Sequence, residues 1–268
     1  MSRLAKQLLY GAFYIALILT VVLGGYDLLT RDATCSDGIQ NGSEEGVDCG
    51  ALACGVLCPP PLLPLTTEPA RIIAAGSGFD ALVMLNNPNA AYGAQRIDVA
   101  LTVTAADGTT SVIRDMTYVN PLQPQYLVFP LRGVTERPAS VALQFDASQV
   151  QWSEVRVEGA TAVSLGVRGE RLDTGAERVT YTATVTNRSA FDFEKVDVVV
   201  LLYDSAGTVV GANPTVLRTL RADEQRDVSV TWPFAVPGAV RAEAFVSTNL
   251  LANDNFIRTY DPGLRQEY

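Results

Sequence analysis

Histidine is absent from all 268 residues. That excludes Ser-His-Asp and Cys-His catalysis and every His-ligated metal site. Runs of lysine and arginine are also missing, and the net charge is −9. Phosphate binding needs a basic face, so nucleic acid is not an expected partner. Cysteine is scarce and confined: the only four are Cys35, Cys49, Cys54 and Cys58. Beyond the first segment no long 3.6-residue periodicity appears, so an all-helical body is not expected. What the chain does have is hydrophobic residue, 48% of the total, enough to build a core and to set aside overall disorder.

The first long apolar run is Leu8 to Gly25, 18 uncharged residues. At about 1.5 Å per residue this reaches the lower end of what crosses ~30 Å of hydrocarbon. Arg3 and Lys6 precede it; Asp27, Arg31 and Asp32 follow it. The charge asymmetry predicts a cytoplasmic flank over 1–7, a transmembrane helix over 8–25 and export of everything beyond Tyr26 across the cell membrane. A cleaved signal peptide is the competing reading; it would have a shorter apolar region and small residues at the cut, for which Val22-Leu23-Gly24 is a weak substitute.

A cysteine-rich acidic module is expected over 32–58. It holds five carboxylates and no basic residue. Four cysteines just outside a membrane segment read as two disulfides, with three possible pairings; a four-cysteine zinc site is the competitor, but the 13-residue first gap fits it poorly. Asp37, Asn41, Glu44 and Asp48, on a loop with Gly38, Gly42 and Gly46, offer hard oxygen ligands of the kind Ca²⁺ takes. The alternative is a solvated acidic loop held by the disulfides. The string from Cys35 to Gly50 resembles a motif of bacterial surface proteins in which DGIQN and GVDCGG recur; Ala51 replaces the last glycine here. The resemblance implies an exported location and no reaction. A proline-rich linker, 59–69, follows with five prolines, and such runs favour extended polyproline II.

After the linker, Val, Ile, Thr, Tyr and Phe alternate with polar residues between Asn, Pro, Gly and Asp turns. This predicts an all-β chain of two tandem sandwiches, over 66–157 and 158–260, with a polar tail over 261–268. An offset of 99 carries Ile97, Val99, Leu101 and Val103 onto Val196, Val198, Val200 and Leu202. It also carries Gly108 onto Gly207 and Val141 onto Val240. Asn86 and Asn187 each close a strand, and Asn87-Pro88-Asn89 lies near the position of Asn187-Arg188-Ser189. The run Val198 to Tyr203 is apolar on both faces; partial cover by loops is the simplest expectation, and a covering neighbour domain the alternative.

In the second copy, over 180–235, Val185-Thr186-Asn187, then Leu202-Tyr203-Asp204, then Gly207 carry a resemblance to FxLYD-type bacterial immunoglobulin-like domains, and Asn253-Asp254-Asn255 one to adhesion-related bacterial domains. The first copy departs, with Val103-Thr104-Ala105 in place of L-Y-D. The resemblance implies immunoglobulin-like domains that bind or space, with no shared active site. Asp192, Glu194 and Asp204 are the only acids that invite a glycoside-type pairing, and their loop and turn positions need no catalysis. Trp152 and Trp232 fit core packing better than sugar stacking. The expectation is a non-enzymatic, structural or adhesive protein whose partner is an unidentified protein or polysaccharide; a polysaccharide-binding or wall-associated protein and an accessory subunit of an envelope complex are the alternatives.

Overall fold

The computed structural model describes residues 3–30, 34–59, 61–155 and 163–257. The start of the cysteine module at Asp32, the boundary near 158 and the tail over 261–268 lie outside these residues. The chain divides into a unit up to Pro61 and a compact unit from Leu62 onward.

The first unit opens with helix α1, Arg3–Thr30. Within it Leu9–Tyr26 has a mean hydropathy of 1.8, and none of that stretch is buried by protein. The helix is therefore longer than the apolar run at both ends. The Thr20 hydroxyl donates to the Ala16 carbonyl at 2.8 Å, which satisfies that hydroxyl without water. The cysteine module that follows has turns and two isolated bridges in place of regular structure, and its cohesion comes from Cys35–Cys54 and Cys49–Cys58.

The second unit is antiparallel β throughout. Sheet I joins β1 (Thr66–Thr67), β2 (Arg71–Ala75), β3 (Gly78–Asn86) and β6 (Pro124–Leu131). Sheet II joins β4 (Tyr92–Thr104), β5 (Thr110–Val119), β7 (Ser140–Phe145) and β8 (Trp152–Glu154). Sheet III joins β9 (Leu165–Thr174), β10 (Val179–Asn187) and β13 (Gln225–Trp232). Sheet IV joins β11 (Asp192–Tyr203), β12 (Val209–Leu220), β14 (Arg241–Ser247) and β15 (Phe256–Ile257).

Alternation sets the layers, because successive side chains leave opposite faces of a strand. Ile97, Val99, Leu101 and Val103 of β4 meet Ala81, Val83 and Leu85 of β3, so sheets I and II share one core. Val196, Val198, Val200 and Leu202 of β11 meet Tyr181, Val185, Val228 and Trp232, so sheets III and IV share another. Trp152 packs against the first core and Trp232 lies within the second.

Two buried asparagines close matching corners. Asn87 donates to the carbonyls of Tyr92 and Asn120, and its own carbonyl accepts from the Asn89 amide. Asn187 donates to the carbonyls of Phe191 and Arg221 and accepts from the Ser189 amide and hydroxyl. Each ties its own strand end to two neighbouring segments through their backbone carbonyls. Gly108 and Gly207 close equivalent turns with φ of 85° and 78°, a backbone shape that glycine takes without strain. The offset of 99 does not persist into the last strands. Val141 pairs with Val103, whereas the partner of Leu202 is Ala242; Val240 lies just before β14 and is 64% exposed. Two additional residues enter before β14.

Part of the proline-rich stretch belongs to the sheets. Leu63 exchanges two hydrogen bonds with the Asn89 side chain, and Thr66–Thr67 pairs with β3. The free spacer is thus shorter than 59–69.

Candidate functional site

Three places combine chemistry with exposure or burial. The first is the cysteine module. Its acids point at its own backbone: Asp48 accepts from the amides of Asp37 and Gly38 at 3.0 and 2.8 Å. Glu44, only 8% exposed, accepts from the amides of Asn41 and Asp48. Asp37 accepts from the Thr34 hydroxyl, the Asn41 amide group and the Ile39 backbone, and these bonds, Thr34 foremost, hold its carboxyl below the usual range. Asn41 turns its carbonyl to the Thr34 amide. The four calcium candidates therefore form one hydrogen-bonded ring around the loop. Among the described residues, the only trio of ligand-type groups whose atoms approach within 4.8 Å is Cys35, Glu44 and Cys54. Both sulfurs of that trio are in a disulfide, which leaves no thiolate to donate.

The second place is the junction inside the β unit. The outer face of β11 is covered by a neighbouring sheet rather than by loops. Val199, Leu201 and Ala212 of sheet IV pack on Ile73 and Leu82 of sheet I, flanked by Tyr126, Val128 and Phe245. The rings of Tyr126 and Phe245 lie 4.2 Å apart. Beside this third core runs a polar seam. The buried Tyr118 hydroxyl donates to Asp197 at 3.0 Å and lies 2.9 Å from the Ser247 hydroxyl. Lys195 reaches the other oxygen of Asp197 at 2.9 Å. Asn120 donates to the Thr248 carbonyl and accepts from the Leu250 amide. Burial, with the Asp197 charge adding to it, pushes the Tyr118 phenol far above its ordinary pKa. Gly93 belongs here for lack of room: a Cβ would fall 2.6 Å from the Val119 carbonyl and 2.8 Å from Leu251. Two clefts flank the seam, of about 220 Å³ beside Glu194, Lys195 and Asp254 and about 340 Å³ beside Ser164, Thr248 and Leu250.

The three acids weighed in sequence lie apart in role. Asp192 accepts from the Ala222 amide, Glu194 lies 3.7 Å from Arg218, and Asp204 accepts from Ala206 and Thr208 within its turn. Sequence reasoning missed Tyr118, Asn120 and Ser247. The double-sided apolar pattern of β11 was the one signal pointing toward them.

The third place is the outer face of sheet II. Val112, Arg114 and Met116 stand along β5, opposite Thr102, Ala100 and Asp98 of β4. Ala142 and Gln144 of β7 lie on the far side of Thr102 and Ala100. Val112 and Met116 are 47% and 57% exposed. A hollow of about 770 Å³ opens here, bordered by Arg96, Arg114, Asp98 and Asp146.

No family model and no curated protein matches the chain. Solved structures give distant likenesses. An Amycolatopsis orientalis exo-chitosanase is 16% identical over 71% of this chain and 26% of its own, with a TM-score of 0.24. Red sea bream transglutaminase is 12% identical over 75% and 31%, with a TM-score of 0.19. The N-terminal CBM22 tandem domain of Paenibacillus barcinonensis Xyn10C is 10% identical over 72% and 90%, with a TM-score of 0.16. The chain spans about a quarter of the chitosanase and under a third of the transglutaminase. TM-scores this low carry no argument about what the chain does.

Proposed function

We propose that the chain is a single-pass membrane protein, N-terminus cytoplasmic, that holds two tandem immunoglobulin-like domains outside the membrane as a binding or adhesive element without catalysis. The observation that carries this reading is the succession of α1 and the stapled module. A helix whose stretch Leu9–Tyr26 is uncharged and without protein cover is followed within 30 residues by two disulfides, which persist in oxidising spaces outside the cytosol. Arg3 and Lys6 on the short flank favour the outward orientation. The repeated strand order and the matching Asn87 and Asn187 corners support two copies of one domain type. The lack of histidine supports binding over chemistry.

The test is made on cells carrying the full chain. Alkaline carbonate should leave it in the membrane pellet with its N-terminal residues intact. Protease added to the outside of spheroplasts should degrade the β unit. A soluble product lacking residues 1–25 would replace the anchor with a cleaved signal, and protection of the β unit would reverse the orientation.

A further inference from the structure

We infer that the charge-free part of the cysteine module, the turn carrying Leu52, Val56 and Leu57, is a second contact with the membrane that α1 crosses, resting on the lipid surface. The inference depends on the anchored reading above. Sequence divides the module in two. Asp37, Glu44, Glu45 and Asp48 all come before Cys49, and no charged residue stands between Asp48 and Glu68. The structure makes each part a lobe. The acidic lobe closes on itself where Asp48 accepts from the Asp37 and Gly38 amides. The apolar lobe closes at Gly50, whose amide donates to the Val56 carbonyl and whose carbonyl accepts from the Cys54 amide, both at 2.8 Å. Cys49–Cys58 clamps the base of this turn. Its large side chains make little contact with the fold: Leu52 is 98% exposed, Leu57 77% and Val56 59%. One exposed leucine is ordinary, but three large apolar side chains within six residues, with no charge among them, form a patch that water disfavours.

Lipid is the occupant because of where the turn is tied. Cys35 lies five residues beyond the end of α1 at Thr30, so at about 3.5 Å per residue it stays within roughly 17 Å of the helix end. The Cys35–Cys54 disulfide sets the two Cα atoms 5.6 Å apart, and Leu52 and Val56 are each two residues from Cys54. The apolar turn is thus confined to the neighbourhood of the helix end. A tether this short gives even a weak contact an effective concentration on the order of millimolar. A lipid surface selects apolar area free of unpaired charge, which the turn supplies. A soluble protein partner is recognised also through a polar rim, and from Cys49 to Cys58 there is no charged, hydroxyl or amide side chain to make one. Carboxylates are costly to bring into lipid, so the acidic lobe turns to water and the apolar turn to the headgroups.

The test uses the full chain with its disulfides formed, in phosphatidylcholine vesicles whose acyl chains carry bromine near the headgroup end. Leu52→Trp and Leu57→Trp place a reporter on the turn, and Ile39→Trp places one on the acidic lobe. All three positions are exposed, so the changes leave the disulfides and the cores untouched. The unsubstituted chain, with Trp152 and Trp232, supplies the background. Interfacial groups lie roughly 5–10 Å into the headgroup boundary, within reach of the bromines, so the added emission at 52 and 57 should fall about twofold in brominated lipid. The same emission should be protected from iodide present on both sides of the vesicle. Ile39→Trp should show the reverse. Iodide quenching at 52 and 57 would put the turn in water, and protection from both quenchers would mean that protein covers it; either result overturns the assignment, as does equal bromine quenching at 39. Flotation of the same vesicles separates the two readings. A chain that floats without bromine quenching overturns this contact alone, and a chain that does not float overturns the anchor and the contact together.

Discussion

Replacing Leu201 with alanine removes three carbons from a side chain that is 1% exposed in the core shared by sheets I and IV. Their transfer is worth about 2.4 kcal/mol at roughly 0.8 kcal/mol per methylene, and the unfilled space brings the loss to about 3 kcal/mol. In a domain of roughly 200 residues each kcal/mol moves the midpoint by about 2–4 °C, so scanning calorimetry should show a fall of roughly 6–12 °C. The stronger expectation concerns the shape of the transition. Leu201 touches the sheet I face directly, so both halves should unfold in one peak, before and after the change. Val216→Ala, on the same strand layer but 42% exposed, should shift the peak by less than about 2 °C. Two resolved peaks of which only one moves, or a Leu201→Ala shift no larger than that of Val216→Ala, would show that the third core does not couple the halves.

Val200→Asp strands a charge in the second core and should lower that single transition, rather than melt one half as two separate sandwiches would. Tyr118 has a raised pKa in the folded chain, so its contribution is fully present below about pH 10 and is lost as pH rises above that; Tyr118→Phe should flatten the alkaline limb of a stability–pH curve. Opening Cys49–Cys58 or Cys35–Cys54 by serine substitution should each cost the module roughly 3 kcal/mol on chain-entropy grounds, read as faster proteolysis of residues 34–59. Calcium at about 1 mM should give no binding heat, because Asp37, Glu44 and Asp48 already accept backbone amides; a saturable heat would mean the loop reforms around the ion.

The strands were legible because their signals are local. A period of two in Ile97–Val103 and Val196–Leu202 states which side is buried, and Asn, Gly and Asp state where the chain turns. The two disulfides were legible as a count, while the pairing of Cys35 with Cys54 depends on how the Gly50–Val56 bridge folds the module, which no spacing encodes. The junction was half legible. Val199, Leu201 and Tyr203 declared that the second face of β11 needed a cover, but the cover comes from Ile73 and Leu82, more than a hundred residues earlier. Tyr118 and Asn120 carried no mark in sequence, since a tyrosine and an asparagine at a strand end are ordinary until a second sheet arrives. The drift from an offset of 99 before β14 was invisible because ASVAL and GAVRA align equally well either way.

The mating of sheets I and IV also sets a timetable. The chain is made from its N-terminus, so β2, β3 and β6 exist before β11 and β14. At roughly 5–20 residues per second the apolar face holding Leu82, Tyr126 and Val128 waits on the order of 10 s for Leu201 and Phe245 to arrive. For that interval the emerging first half is a half-finished surface in a crowded space, and its risk of sticking to a neighbour is set by the rate of synthesis as much as by the stability of the finished fold.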